Sequence, residues 1–108
     1  MVYNVDMKTK MPDTIYLFPT FFKIVDVTRG ESAKYKGVAK YSDREIGIEP
    51  AIHEEDKKSV MIHEIVHCIL NSAGFENHDE IMLDVLANGF LSIIRGNKDL
   101  IRWLEEIK

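Results

Sequence analysis

Apolar residues follow two different rhythms along this chain. Before residue 50 they come in short, loosely alternating runs. The run TIYLFPTFFKIVDVT at 14–28 is rich in aromatic and β-branched types, and Pro19 divides it. Its second part, Phe21 to Thr28, alternates imperfectly through Phe22, Ile24 or Val25, and Val27, which predicts a strand. RGES at 29–32 reads as a turn or loop. Val38–Tyr41 and Glu45–Glu49 predict two more strands, joined as a hairpin around Ser42 and Asp43 with Arg44 able to extend the turn. Pro50 ends the second. Gly37 and Gly47 would weaken strand interiors, so they mark bulges or the close approach of a neighbour.

From Glu54 the spacing changes to threes and fours. Val60, Ile62, Ile65, Val66, Ile69 and Ala73 predict a helix over 55–72. Glu54, Glu55 and Asp56 stand at its start, where acids suit the helix dipole, and Gly74 reads as a left-handed cap at its end. Asn77 with Glu80 three positions on has the spacing of a capping box and predicts the start of a second helix. Ile81, Leu83, Val85, Leu86, Phe90, Ile93 and Ile94 carry that helix to Gly96. It is apolar on more than one face, so a central position is expected. Leu100, Ile101, Trp103, Leu104 and Ile107 predict a last helical segment that folds back over the others. The layout is an α+β fold, a small antiparallel or mixed sheet of about three strands packed on two to three C-terminal helices.

Length adds one constraint. With 108 residues, 1–108 is expected to be a single domain: a polar arm over 1–13, a sheet region over 14–50 and a helical region over 54–108. A hydrophobic fraction of 45% supplies a core. The formal charge is -4, and no cluster of five Lys or Arg occurs, which argues against a nucleic-acid partner. The single cysteine, Cys68, makes no internal disulfide and fits a reducing compartment. The first residues contain no apolar core of signal-peptide length, and no apolar run is long enough to span a membrane. A soluble, cytoplasmic protein without a membrane partner is the expectation.

The chemistry concentrates in SVMIHEIVHCIL, residues 59–70. His63 and His67 are four apart, so on a helix they stand one turn above the other on the same side and can reach one metal ion. Glu64 is rotated about 100° from His63. From there it can reach a metal-held water without being a ligand. This is the physical content of the His-Glu-x-x-His pattern, here His63-Glu64-Ile65-Val66-His67. A catalytic zinc site takes three protein ligands and keeps one position open. The alternative is that both histidines are rim residues bonded to nearby strands.

A third ligand must come from elsewhere, and three residues are candidates. Glu80 and Asp84 are four apart on the second helix and share a face with Ala87, Asn88 and Leu91. Two acids in such company want a cation or a donor. In this arrangement Glu80 is the ligand, and Asp84 accepts the proton of the far nitrogen of His63 or His67. His78 is the second candidate, or else a residue lining the mouth of the cleft. Asp79 is the third, with a helix cap as its ordinary role. A pattern with a glycine and a third histidine soon after His67 is absent, since Leu70 and Ala73 occupy those positions.

HEIVHCIL, the Glu80-x-x-x-Asp84 pair and the tail LANGFLSIIRGNKDLIRWL together resemble a family of small prophage-associated zinc metallopeptidases, over residues 38–105. Leu86, Ala87, Gly89 and Phe90, then Arg95, Asn97 and Leu100, match the family's tail. The family lies near the minimal Glu-zincins. The resemblance implies a minimal zincin-like fold and one Zn2+ ion, with His63, His67 and Glu80 as ligands. It implies Glu64 as the base and Asp84 as support for a ligand histidine. The implied activity is hydrolysis of a peptide bond in a protein or peptide substrate, laid as an extra strand along the hairpin at 38–49. The oxyanion-stabilising group is left open among Tyr35, Tyr41, His53 and His78. Of these, Tyr41 and His78 are the candidates for lining the cleft.

The alternative from another class is a zinc-stabilised interaction module without catalysis, for which Glu64 has no use. Cys68 is expected to be a buried small side chain. Trp103 with Leu100 and Leu104 reads as core or a packing seam, or else as a dimer surface, because a small domain exposing that stripe needs cover. Phe18, Phe21 and Phe22 read as core, or else as an exposed interaction patch.

Overall fold

In the computed structural model, which describes residues 9–27 and 35–107, four strands precede three helices. They are β1 (Thr14–Leu17), β2 (Thr20–Asp26), β3 (Gly37–Lys40), β4 (Glu45–Ile48), α1 (Glu54–Ser72), α2 (Glu80–Gly96) and α3 (Lys98–Glu105). The α+β class is as expected, and the sheet is mixed. Its order is β1-β2-β4-β3. The central pair, β2 and β4, is parallel, with Ile24 beside Ile46, while β1 on β2 and β3 on β4 are antiparallel. The strand the pattern did not single out is β1, which folds back on β2 through a turn at Phe18 and Pro19. The arm expected at 1–13 lies mostly, and the turn at 29–32 wholly, outside the described residues.

One face of this sheet carries the core. Phe22, Ile46 and Ile48 are buried there with Met61 and Cys68 of α1, and Ile15, Leu17, Ile24, Ala39, Val60 and Ile65 pack at the margin. Alternation explains the set: residues two apart on a strand share a face, and Met61, Ile65 and Cys68 recur at helical spacing on α1. Burying each Ile or Phe contributes about 1.5–3 kcal/mol. Phe22 belongs to this core as expected. Phe18 and Phe21 do not: they are exposed, in the turn and on the opposite face.

Helix α1 ends as expected, with Gly74 at φ 94°. Helix α2 packs antiparallel on α1, and Arg95 near its end holds Glu55 near the start of α1 at 2.6 Å. Buried Leu83 and Ala87 of α2 and Val66 of α1 fill the seam. Two expectations are corrected here. Helix α2 is not central: it packs on α1 and not on the sheet, which α1 covers, so only one of its faces is covered. Helix α3 does not fold back over the others. It packs against α2 and contributes no buried residue.

Candidate metal centre

The seam between α1 and α2 brings the sequence-predicted residues together. Helical spacing puts His63 and His67 on the side of α1 that faces the start of α2. The expected capping box at Asn77 does not form. Asp79 is the N-cap instead, accepting from the backbone N–H groups of Ile81 and Met82. An Asx side chain one residue from the helix outcompetes one three residues away. Glu80 is thereby released from any capping duty and opens the helix with its side chain turned to the histidines. Its Oε2 lies 3.0 Å from His63 Nε2 and its Oε1 3.2 Å from His67 Nε2.

The far nitrogens are also engaged. His63 Nδ1 donates to Asp84 Oδ1 at 2.8 Å, so Asp84 takes the supporting role read for it, and on His63. His67 Nδ1 lies 2.6 Å from His78 Nδ1, with the rings stacked. His78 Nε2 lies 2.6 Å from the carbonyl oxygen of Phe75. A carbonyl only accepts, so His78 carries its proton on Nε2 and offers a lone pair at Nδ1. His67 must then donate from Nδ1. That leaves its Nε2 as a lone pair facing a carboxylate oxygen.

Such a pair of acceptors repels unless a cation lies between them. A second proton on His67 is disfavoured, since burial holds its pKa below the ordinary value, reinforced by His63 and His78 and opposed by Glu80. A metal ion fits better. The ligand atoms of His63, His67 and Glu80 lie within 4.8 Å of one another and could hold one. Two ligand atoms in a tetrahedral zinc shell are about 3.4 Å apart, close to both histidine–carboxylate separations. Two neutral imidazoles and a carboxylate also suit a divalent first-row ion.

Glu64 is only 7% exposed. Its carboxyl is pushed up to about 7, mainly by burial, with His63 opposing and Glu80 adding to the rise. The space it occupies exists because Gly37 of β3 has no side chain. A methyl group there would overlap Val60 and come within 3.2 Å of Glu64 Oε2. Close approach, one of the two readings of Gly37, is therefore what the sheet uses. Tyr41, in the turn after β3, is half-buried at the edge of the same region. Its hydroxyl is held protonated to higher pH by burial and then by Cys68, Glu64 and Glu80.

The other candidates separate cleanly. Asp79 is a cap, as one reading had it. His78 lies behind His67, on the Nδ1 side of that ring, and outside the His63, His67 and Glu80 group. No pattern in the sequence announces that contact, since it depends on the path of the 73–79 connection. His53 immediately precedes α1, about 15 Å along the helix axis from His63, and both it and Tyr35 are exposed. Cys68 is buried against the sheet, its thiol pushed up to about 12 by burial and then by Glu64. No helix among the described residues is long and apolar enough to cross a membrane. Compared with known proteins, the chain matches no family model, no curated protein and no solved structure.

Proposed function

We propose that this chain is a zinc-dependent metallopeptidase, with His63, His67 and Glu80 as the ligands of one zinc ion and Glu64 as the general base. The observation that carries the reading is a buried carboxyl group, Glu64, next to a converging His-His-Glu set. A structural zinc site is closed by four protein ligands and has no use for a base, whereas three groups converge here beside Glu64. Bound zinc supplies a Lewis acid that polarises a peptide carbonyl and acidifies a water. Glu64 would serve as the base beside that site, taking up a proton from the attacking water and handing it to the leaving amine. Asp84 and His78 hold the two imidazoles in the tautomer that presents Nε2. Strand β3 is a sheet edge, and Gly37 brings it against Glu64. An extended peptide adding to that edge would run beside the base. Tyr41, kept protonated, is the candidate donor to the oxyanion. The resemblance of residues 38–105 to small prophage-associated zinc metallopeptidases supports the same reading.

A second reading, a zinc-stabilised interaction module, is favoured by the wide apolar exposure of α2 and α3. The two are separated by metal content followed by peptidase assay. Protein purified without added metal or chelator should carry about one zinc per chain, lost in both His67→Ala and Glu80→Ala. Hydrolysis of an unstructured protein substrate, abolished in Glu64→Gln while zinc is retained, supports the peptidase. Zinc without hydrolysis leaves the module. No bound metal and no uptake sinks both.

A further inference from the structure

The last turns of α1, the turn between β1 and β2 and the turn between β3 and β4 border a cavity of about 420 Å³. Small-ligand sites run from about 300 to 1,000 Å³, so this one has room for the end of a peptide rather than for a chain passing through. Buried Phe22 and Cys68 form its floor. Phe18 and Ile69 stand in its walls, 82% and 49% exposed, and an apolar group entering the cavity would cover them. Tyr41 lines it as well, and its hydroxyl feels the charges of Glu64 and Glu80. The cavity therefore adjoins the metal centre, on the side of α1 that faces the sheet.

Arg44 is the only charged residue lining the cavity. None of the ion pairs among the described residues includes it. Its backbone has φ 54°, in the left-handed region that glycine takes freely and other residues rarely adopt. The fold imposes that conformation. The Arg44 N–H donates to the Tyr41 carbonyl at 3.2 Å, and the Arg44 carbonyl accepts from the Lys23 N–H at 2.9 Å. Glycine would serve this turn better, so the side chain, not the backbone, is the use of an arginine here.

We propose that this cavity receives the carboxy-terminal residue of a peptide, one with a large apolar side chain, and that Arg44 holds its free carboxylate. On the peptidase reading, on which this part rests, the bond presented to Glu64 then lies close to the end of the substrate chain. Charge and apolar surface together select the occupant. The walls take the side chain, and a guanidinium matches a carboxylate with two parallel hydrogen bonds. An internal stretch of apolar peptide brings no charge for Arg44. An acidic side chain brings no apolar surface for Phe18 and Ile69.

Binding can be read apart from hydrolysis. N-acetylphenylalanine and its amide differ in the carboxylate alone, and calorimetric titration of the full chain should find the acid bound about tenfold tighter. The same preference is expected with zinc present and after chelation, which excludes a carboxylate held by the metal. Arg44→Gly should erase the preference and melt at the same temperature or higher, since glycine suits this backbone. Ile69→Glu, which sets a like charge in the wall, should weaken the acid more than the amide. A peptide ending in a free Phe should also be cut faster than its amide. Equal binding of acid and amide overturns the proposal, as does a preference that survives Arg44→Gly, an amidated peptide with an internal Glu that binds as tightly as the acid, or no binding of either compound. If the acid binds as expected and no peptide is cut, the cavity keeps its ligand and the peptidase reading falls. If free and amidated peptides are cut equally fast, the peptidase reading stands and this proposal falls.

Discussion

His67 and His78 meet through like atoms, Nδ1 to Nδ1 at 2.6 Å, and the Phe75 carbonyl behind His78 decides which of them donates. The proton lies on His67, and its Nε2 is free for a metal. Replacing His78 by Ala removes the acceptor and lets the His67 ring turn. Supporting residues of this kind are worth about 10–100-fold in metal affinity. Competition against a chromogenic chelator should show that loss for His78→Ala and for Asp84→Ala. Unchanged affinity in both would mean that the rings are held by packing alone.

Glu80 belongs to α2 and both histidines to α1, so a bound ion ties the two helices together. Removing it should loosen the seam filled by Val66, Leu83 and Ala87. A ligand present at a thousand times its dissociation constant stabilises by about 4 kcal/mol. Thermal melts with and without a strong chelator should therefore differ by many degrees in the wild type and coincide in Glu80→Ala. Equal melting in the wild type would show that no metal contributes to the fold.

Glu64 gives a pH dependence in metal-free protein. Its carboxyl rises from 4.5 to about 7 on folding, chiefly through burial. The folded chain holds the proton more tightly than the unfolded one. The corresponding stability is present in full below 4.5 and is lost as pH climbs to about 7. The loss is about 3 kcal/mol for a shift of this order. Glu64→Gln has no such proton to lose. Urea midpoints of the two proteins should draw together toward the acid side and separate above neutrality, with Glu64→Gln the more stable. Parallel curves would mean that Glu64 ionises in place at no cost.

Gly37 is the tightest point between sheet and helix. Gly37→Ala puts a methyl group into Val60 and beside Glu64. Overpacking of this kind costs about 1–3 kcal/mol. Hydrolysis should fall as Glu64 is displaced, while zinc content, fixed by His63, His67 and Glu80, should hold. A variant as stable and as active as wild type would show that β3 can move aside.

Much of this was readable in advance, and for definite reasons. Helix α1 has strict three-and-four spacing, acids at its start and a glycine at its end, so its bounds and its paired histidines follow from the pattern. Glu80 and Asp84 follow from their shared face. The failures are also physical. Strand β1 is four residues long and is completed only by pairing with β2, which leaves little local pattern. The cap at Asp79 competed with an equally suitable Asn77. Helix α2 is apolar on more than one face, which usually means burial. Here it packs on α1 and not on the sheet, so its remaining apolar faces point outward. The contact between His67 and His78 depends on a loop whose path no periodicity records.

The ligands also differ from the sheet in how far apart they lie along the chain. His63 and Glu80 are 17 positions apart, within one helical hairpin, and closing so short a loop is cheap and fast. Strands β2 and β4 must instead pair in parallel across everything between Asp26 and Glu45, a slower search. The metal-binding hairpin can therefore assemble ahead of the sheet it rests on. In that order of events the ion acts as an early fastener of the helices, and Glu64 meets Gly37 last. On the proposed reading, the His-His-Glu set would then be complete before the surroundings of Glu64 are.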